Sequence, residues 1–179
     1  MTRVEPEVIA EARYLRMVRR GSWEYVERSD ISGIVAIVAL TANRELLLIE
    51  QYRPPVDLRV IELPAGLAGD LPGDAEESLE AAAHRELLEE TGYQAEDMIR
   101  LFHSPPSPGM TSEVLTFFLA RDVEKVAAGG GDESEDITAY AVPLDEVGDW
   151  LVSQTQQGKL VDLKVYAGLY ALWADLLAP

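Results

Sequence analysis

The alternation of apolar and polar residues divides the chain into short strands and a few helical segments. Residues 13–28 predict two short strands around the turn at Arg20-Gly21, a hairpin that can stand apart from the main body. Residues 33–40, GIVAIVAL, form a continuous apolar run rich in β-branched residues, which is typical of a buried strand. Further strands are predicted at residues 45–53 and 59–66, the second ended by proline and glycine.

The rest of the chain mixes strands with helices. Residues 76–91 contain good helix formers throughout, with apolar residues on related faces. Asp74 or Ala75 is the predicted N-cap, and Gly92 follows the last turn. The other predicted elements are strands at residues 98–103, 113–120 and 137–144 and helices at residues 144–156 and 162–177. This order favours an α/β (α+β) fold with a mixed sheet between helical layers.

The last predicted helix carries its large apolar residues at a spacing typical of a core-facing stripe. They are Leu163, Tyr166, Tyr170, Trp173 and Leu177. We therefore expect this stripe to face the core.

Three glutamates crowd the C-terminal end of the helix predicted at residues 76–91. The helix dipole disfavours each of Glu86, Glu89 and Glu90 there by about 0.3 to 1 kcal/mol. Glu86 and Glu90 also share one face, at a further cost of roughly 0.2 to 0.5 kcal/mol. A divalent cation such as Mg²⁺ or Mn²⁺, which prefers carboxylate oxygens, explains the cluster. An ordinary solvated acidic face is the alternative that spacing alone leaves open.

Composition excludes several classes of function. The chain has 179 residues with 47% hydrophobic content, which suits one compact domain with at most a small appendage. Its formal charge of −17 argues against binding nucleic acid or an anionic membrane surface. The absence of cysteine excludes disulfides and thiolate chemistry and suits a cytoplasmic location. We find no secretory signal or membrane span in the sequence.

The glutamates belong to a longer pattern, made of LPAG at residues 63–66, Glu77, and RELLEETGY at residues 85–93. This pattern resembles the signature of the Nudix hydrolases and matches it in register from Glu77 to Gly92. Ten residues, where the family has five, separate Gly66 from Glu77, so we predict an insertion in the loop before the helix. Tyr93 also stands where the family has an aliphatic residue.

Other segments resemble the ADP-ribose pyrophosphatase branch of that family, and Pro108, at fifteen residues after Tyr93, matches a proline common in that branch. The segments are EQYRPPV, IELPAG, SPGMTSE, ESEDI and GKLVDLK. The resemblance implies an α/β/α sandwich at residues 31–179 and an N-terminal strand or hairpin segment at residues 1–30 that forms a homodimer. It also implies Mg²⁺-dependent cleavage of ADP-ribose or a related ADP-sugar to AMP and a sugar phosphate, with Mn²⁺ as the alternative cation.

The same resemblance assigns the residues that hold the cation. The Ala65 carbonyl, Glu86 and Glu90 are implied as the core metal ligands, with Glu89 assisting a further cation. Glu135, in the acidic segment DESED, is implied as an additional ligand.

Catalytic roles are implied for Glu133, as the base that activates water, and for Arg85 beside the metal-binding glutamates. Glu77 and Arg85 lie about 80° apart round a helix, so the arginine can hold that acid, or the two can form a plain surface ion pair. The glycines at residues 129–131 fit either a hinge for the acidic segment or a loop with no such role.

Five residues are implied in substrate binding. Arg53 matches a position that clamps a phosphate, which suits a guanidinium. Trp23 is implied to stack on adenine in a partner subunit's site, with Arg28 near the phosphates, although a tryptophan at a hairpin is commonly just packed. Glu62 and Glu113 are further candidates, Glu113 also as an alternative base.

Three other functions stay open from the sequence. The substrate can be another diphosphate, such as NADH, a flavin nucleotide, a GDP-sugar or coenzyme A. The chain can also be a Nudix-fold sensor that binds ADP-ribose without cleaving it, or an acidic cation-binding domain that takes no nucleotide.

Overall fold

A computed structural model describes residues 5–29, 31–70, 76–131 and 136–174. The strands there are β1 (Glu7–Glu11), β2 (Leu15–Arg20), β3 (Trp23–Arg28), β4 (Gly33–Thr41), β5 (Glu45–Arg53), β6 (Leu58–Glu62), β7 (Ala65–Ala68), β8 (Tyr93–Gln94), β9 (Ile99–Ser104), β10 (Leu115–Lys125), β11 (Ile137–Pro143) and β12 (Leu160–Val161). The helices are α1 (Leu79–Glu86), α2 (Val147–Gln156) and α3 (Leu163–Trp173), and a π-helical turn, Leu87–Thr91, continues α1.

Two separate sheets form from these strands. The first is β1-β2-β3, antiparallel, so the predicted N-terminal hairpin is confirmed and gains a third strand that the sequence did not reveal. The second runs β12-β6-β5-β4-β10-β8, with β11 added to β5, β7 to β4 and β9 to β10. Because β4 pairs with β10 in parallel and with β7 in antiparallel fashion, the main sheet is mixed, as predicted.

Helices cover both faces of the main sheet. Alternate residues of β4 point to opposite sides, as the pleat requires: Ala36 and Val38 pack with α2 and α3, whereas Val35 and Ile37 pack with α1. This is the predicted layered fold. In the parts of the chain that the structure describes, no helix is both long and apolar enough to cross a membrane.

The strand predicted at residues 59–66 is divided in two. β6 ends at Glu62, and β7 begins at Ala65 on a different neighbour, β4. Pro64, which has no N–H to donate to a ladder, lies between them, and its carbonyl accepts from Ile37 N–H at 2.8 Å. The break delivers residues 65–68 to the glutamate-bearing helix.

That helix begins later than predicted. Its N-cap is Ser78, whose hydroxyl accepts from the Ala81 N–H at 3.1 Å, so the prediction of Asp74 or Ala75 was wrong. Serine caps a helix as well as aspartate does, and here it starts α1 at Leu79. Gly92 follows the π-helical turn in the left-handed conformation, φ +73°, as expected for a residue that ends a helix.

The prediction for the apolar stripe of α3 was wrong. Leu163, Tyr166, Tyr170 and Trp173 are exposed, and Val165, Gly168 and Ala171 are buried instead. A Cβ at Gly168 would already lie 3.0 Å from side chains of Leu63 and Val38. The helix therefore approaches the sheet through its small residues, which leaves no room for aromatic rings. Leu177 lies outside the described residues.

Candidate active site

Arg85 connects the acidic residues of the α1 region. Its guanidinium binds Glu77 through two nitrogens, at 3.0 and 3.1 Å, which confirms the predicted pair. It also contacts Glu86 at 2.8 Å and Glu89 at 3.1 Å, and donates to the Leu67 carbonyl at 2.8 Å. The bonds between Arg85 and Glu77 lower the pKa of Glu77 below its usual value, against the effect of burial. A single arginine thus fixes three glutamates and the strand β7.

Glu86 lies against the backbone of Gly66. A Cβ at Gly66 would come within 2.0 Å of the Glu86 carboxylate, so only glycine leaves room for this acid. Burial raises the pKa of Glu86 to about 7, with Glu89 and Asp70 adding to the rise and Arg85 opposing it. The site therefore holds a carboxylate whose charge the protein alone does not fully compensate.

Glu90 is the most buried of the three clustered glutamates, at 2% exposure. Its Oε2 accepts from the Ala65 N–H at 2.9 Å. The side chain of Glu89 is half exposed, at 51%, and pairs with Arg85. The structure therefore brings Glu86 and Glu90 to residues 65–66 and leaves Glu89 at the rim.

The donors at residues 65–66 fit a divalent cation. Two carboxylates flank this backbone, and hard oxygen donors are what Mg²⁺ and Mn²⁺ prefer. Among the described residues no three acidic or histidine side chains are arranged to hold a metal ion by themselves. The predicted set includes the Ala65 carbonyl and Glu135, and Glu135 lies outside the described residues.

The start of the predicted insertion does not disturb this arrangement. The Gly69 N–H donates to Glu77 at 3.1 Å, and Asp70 lies 3.6 Å from Arg85. Residues 67–70 are thus held against the helix. Residues 71–75, which make up much of the insertion, lie outside the described residues.

A cavity of about 370 Å³ opens beside Glu86. Its size is in the usual range for a small-molecule site. It is lined by three basic side chains, those of Arg28, Arg53 and Lys164. These basic side chains suit an anionic ligand, which the negative charge of the chain as a whole would otherwise repel.

Residues 32–165 match the NUDIX domain family. The chain belongs to the Nudix hydrolase family. The resemblance found in the sequence is thereby confirmed, and the residues from Glu77 to Gly92 form its Nudix box.

Individual relatives carry different names. The methanol dehydrogenase activator of Bacillus methanolicus is 36% identical and the ADP-ribose pyrophosphatase of Bacillus subtilis 31% identical, each over 115 residues. Each match covers 64% of this chain but only 60% of the relative. The GDP-mannose pyrophosphatase of Enterobacter sp. (strain 638) is 34% identical over 147 residues, 75% of this chain and 74% of the relative.

A solved structure is similar over most of the chain. The crystal structure of an ADP compounds hydrolase superimposes with a TM-score of 0.63 at 26% sequence identity. The match covers 84% of this chain and 82% of the other. The mixed sheet between helices is therefore the Nudix fold, as the sequence predicted.

Arg53, which lies outside the Nudix box, is paired with a carboxylate at the cavity wall. It donates to Glu62 through two nitrogens, at 2.5 and 2.9 Å, and this contact raises the pKa of Arg53 against the effect of burial. Lys164 lies 3.4 Å from the same carboxylate and 2.7 Å from Asp162, the N-cap of α3. Glu62, at 1% exposure, thus holds both cations at the cavity wall rather than facing the ligand alone.

Arg28 and Glu113 meet in the same cavity. The Arg28 Nε donates to Glu113 at 2.7 Å, which joins the end of β3 to the loop that precedes β10. Arg28 therefore lies in the same cavity as Glu86 of its own chain, and its predicted place near the phosphates of a partner subunit's site stays a prediction. One oxygen of Glu113 is engaged by this pair.

Trp23 lies outside that cavity in its own chain. It is 64% exposed and lines a second cavity of about 290 Å³, with Arg20, Tyr25 and residues 108, 109, 111 and 112. The loop of residues 105–114, between β9 and β10, is attached to β3. The Val26 N–H donates to the Met110 carbonyl, and the Val26 carbonyl accepts from the Ser112 N–H. The two cavities share this loop, because Pro106 and Glu113 line the first. The predicted role of Trp23 in a partner subunit stays a prediction.

Two predicted residues cannot be placed, and one residue was missed. Glu133 and Glu135 lie outside the described residues. Lys164 was not singled out in the sequence, because a lysine in the first turn of a helix is ordinarily a solvent-facing residue. Its local signals were the segment GKLVDLK, of which it is the last residue, and the N-cap Asp162 two residues earlier, to which its side chain binds.

Proposed function

We propose that this protein hydrolyses the diphosphate linkage of ADP-ribose or a related ADP-sugar, giving AMP and a sugar phosphate, and that it requires Mg²⁺ or Mn²⁺. The observation that carries the proposal is the position of the Nudix box. Glu86 lines a cavity whose wall also carries Arg28, Arg53 and Lys164. Glu90 accepts from the N–H of Ala65, which lines the same cavity. The named relatives that act on ADP-ribose and ADP compounds support the choice of substrate.

The proposed role of each site residue follows from the chemistry of its side chain. Glu86, Glu90 and the Ala65 carbonyl would hold the cation, with Glu89 and Glu135 available for further ions. A bound cation neutralises diphosphate charge and lowers the pKa of a coordinated water. The guanidinium of Arg53, oriented by Glu62, binds phosphate oxygens with the nitrogen that Glu62 leaves unused. Trp23 is proposed to stack on the adenine bound in a partner subunit's site.

Glu133 is proposed to take the proton from the attacking water. The ion pair between Glu113 and Arg28 supports this choice over Glu113, because that carboxylate already has a cationic partner at 2.7 Å. Glu133→Gln is expected to lower kcat by about 10²- to 10⁴-fold, the usual contribution of a general base. Metal affinity, measured by titration calorimetry, should stay near that of the parent. Unchanged turnover would move the base to Glu113 or Glu135.

The test of the function is a substrate panel with Mg²⁺ and with EDTA. It contains ADP-ribose, other ADP-sugars, GDP-mannose, NADH, a flavin nucleotide and coenzyme A. Metal-dependent release of AMP from ADP-ribose supports the proposal. GDP-mannose is the second candidate, favoured by the Enterobacter relative. Binding of ADP-ribose without turnover would instead identify a sensor, and no binding of any nucleotide would leave a cation-binding domain.

Added Mg²⁺ is expected to raise the melting temperature of the protein. Glu86, Glu89 and Glu90 repel one another, and a cation bound only by the folded state stabilises that state. Each kcal/mol gained raises the Tm of a chain of this size by about 2 to 4 °C. Differential scanning fluorimetry measures the shift, with sodium chloride at equal ionic strength as the control. Equal melting temperatures in both salts would contradict the assigned metal site.

The homodimer, formed through the N-terminal sheet, and the cytoplasmic location stay predictions. The N-terminal sheet offers apolar surface for such contacts, since Val8, Ile9, Tyr14, Leu15 and Met17 are exposed in the single chain. Analytical ultracentrifugation would measure the state of assembly, and a monomer at working concentration would contradict the dimer.

A further inference from the structure

Lys164 lies at a place in its own helix that disfavours a cation. The N-cap of α3 is Asp162, so Lys164 belongs to the first turn of that helix. The helix dipole places partial positive charge at this end, which opposes a positively charged side chain. The side chain is also only 14% exposed, so it does not extend into solvent like an ordinary surface lysine. Its contacts in the folded chain must therefore account for its position.

Two carboxylates hold the Lys164 side chain. The Nζ donates to Asp162 Oδ2 at 2.7 Å, while Asp162 Oδ1 accepts from the Lys164 N–H at 2.7 Å. Asp162 therefore caps the helix and fixes the lysine at the same time. The Nζ also lies 3.4 Å from Glu62 Oε2. An ammonium has three N–H donors, and these contacts with described residues use two of them. The third can be donated to a ligand.

Glu62 joins Lys164 to Arg53. The Arg53 Nη2 donates at 2.9 Å to Oε2 of Glu62, the same oxygen that Lys164 contacts. Glu62 is 1% exposed, so this shared carboxylate has little freedom to move. The two cations are thus held side by side before a ligand binds, which lowers the entropy that a ligand must lose them on binding.

The basic side chains lie where two cavities meet. Arg28, Arg53 and Lys164 line the cavity of about 370 Å³ beside Glu86. The same three residues line a third cavity of about 420 Å³, whose other walls include apolar residues of β6, of β12 and of the turn after β5. A diphosphate that links two groups needs room on both sides of its anionic centre. The position of the three cations provides that room.

We propose that Lys164 binds the diphosphate of the substrate together with Arg53, and that Glu62 and Asp162 position the two cations for this contact. The inference rests on the proposed function, which supplies the diphosphate. The two side chains bind an anion differently, because a guanidinium donates in one plane and an ammonium is a compact charge with rotatable donors. Together they can contact oxygens that point in different directions.

Lys164→Met tests the contact, and Lys159→Met is its matched control. Lys159 belongs to the same segment, GKLVDLK, is 19% exposed, and lies 2.7 Å from the buried Glu50. In each variant an arginine stays beside the acid that loses its lysine, Arg59 beside Glu50 and Arg53 beside Glu62. Both variants remove one positive charge from the chain. Lys159 is not among the described residues that line either cavity, so only Lys164→Met changes the wall.

The first readout is the affinity for inorganic pyrophosphate, measured by titration calorimetry in EDTA so that no metal ion contributes. We expect Lys164→Met to weaken it about ten- to hundredfold, the usual value of a hydrogen bond to a charged group. Lys159→Met should stay within about twofold of the parent, because salt screens a charge that does not contact the anion. Lys164→Arg should restore most of the loss. Urea unfolding checks that each variant is folded.

The second readout is steady-state turnover of the substrate that the panel identifies, with saturating Mg²⁺. A contact made equally in the ground state and the transition state raises KM and leaves kcat unchanged. We therefore expect KM of Lys164→Met to rise about tenfold or more with kcat within about threefold of the parent. Lys159→Met should keep both parental values.

Four results would overturn the inference. They are a parent that does not bind pyrophosphate, parental affinity in Lys164→Met, an equal loss in Lys159→Met, and a fall in kcat of Lys164→Met at parental KM. The second would leave Lys164 a structural partner of Glu62, and the third would show an effect of net charge alone. An active parent keeps the proposed function in each case. A parent that turns over no member of the panel removes the proposed function, whereas a selective loss of pyrophosphate affinity in Lys164→Met would still support the anion contact.

Discussion

Replacing Glu90 by glutamine is expected to lower kcat by at least about a hundredfold while the protein stays folded, because even residues that only support metal ligands contribute about 10- to 100-fold. The amide has the same shape as the carboxylate, and its oxygen can still accept from the Ala65 N–H. What it loses is the negative charge that a cation requires. Turnover with saturating Mg²⁺ and the midpoint of urea unfolding measure the two effects separately.

Glu89→Gln is the matched control for this variant. Glu89 lies in the same turn, but its side chain is 51% exposed and pairs with Arg85 at 3.1 Å. We expect a smaller loss of turnover, because this position is at the rim of the site. Near-parental activity of Glu90→Gln would contradict the metal assignment, and equal losses in both variants would contradict the distinction between the buried and the exposed glutamate.

The acidic end of the box helix was the feature of the sequence that most needed explanation. The fold supplies part of the compensation through Lys125 and the N–H groups of Gly130 and Gly131, which satisfy the last carbonyls. Arg85 supplies another part by binding Glu86 and Glu89. The cation that the sequence favoured is therefore proposed to complete a site that the protein has already partly neutralised.

The residues of the Nudix box could be predicted because their relation is local. The spacing from Glu77 to Gly92 sets which side chains meet on one helix, and the pair of Glu77 with Arg85 follows from that spacing alone. The strands at residues 33–40 and 45–53 could also be predicted, because continuous apolar runs indicate buried strands whatever their neighbours are.

Contacts between distant parts of the chain could not be predicted in the same way. Lys164 and Glu62 are 102 residues apart in the sequence, and no pattern in either segment predicts that they pair. The docking of the loop at residues 129–131 is backbone against backbone, so no side-chain pattern marks it. For α3, the apolar spacing predicted that the large residues face the core. The helix instead packs closely on the sheet at Gly168, so its small residues are the buried ones.

Arg85→Ala is expected to give the largest loss of stability, about 2 to 4 kcal/mol. Glu77 and Glu86 have little exposure to solvent, and the variant removes the guanidinium that pairs with both. Urea unfolding measures the free energy, and Arg19→Ala is the control, since Arg19 also pairs with glutamates but on an exposed strand.

The double variant Arg85→Met with Glu77→Gln separates charge burial from packing. We expect it to lose less stability than the sum of the two single variants, because the second change removes an acid that the first leaves uncompensated. Strict additivity, or a loss from Arg85→Ala no larger than that from Arg19→Ala, would show that water screens these carboxylates. The arginine would then act in this site through the geometry of Glu86 and β7 alone.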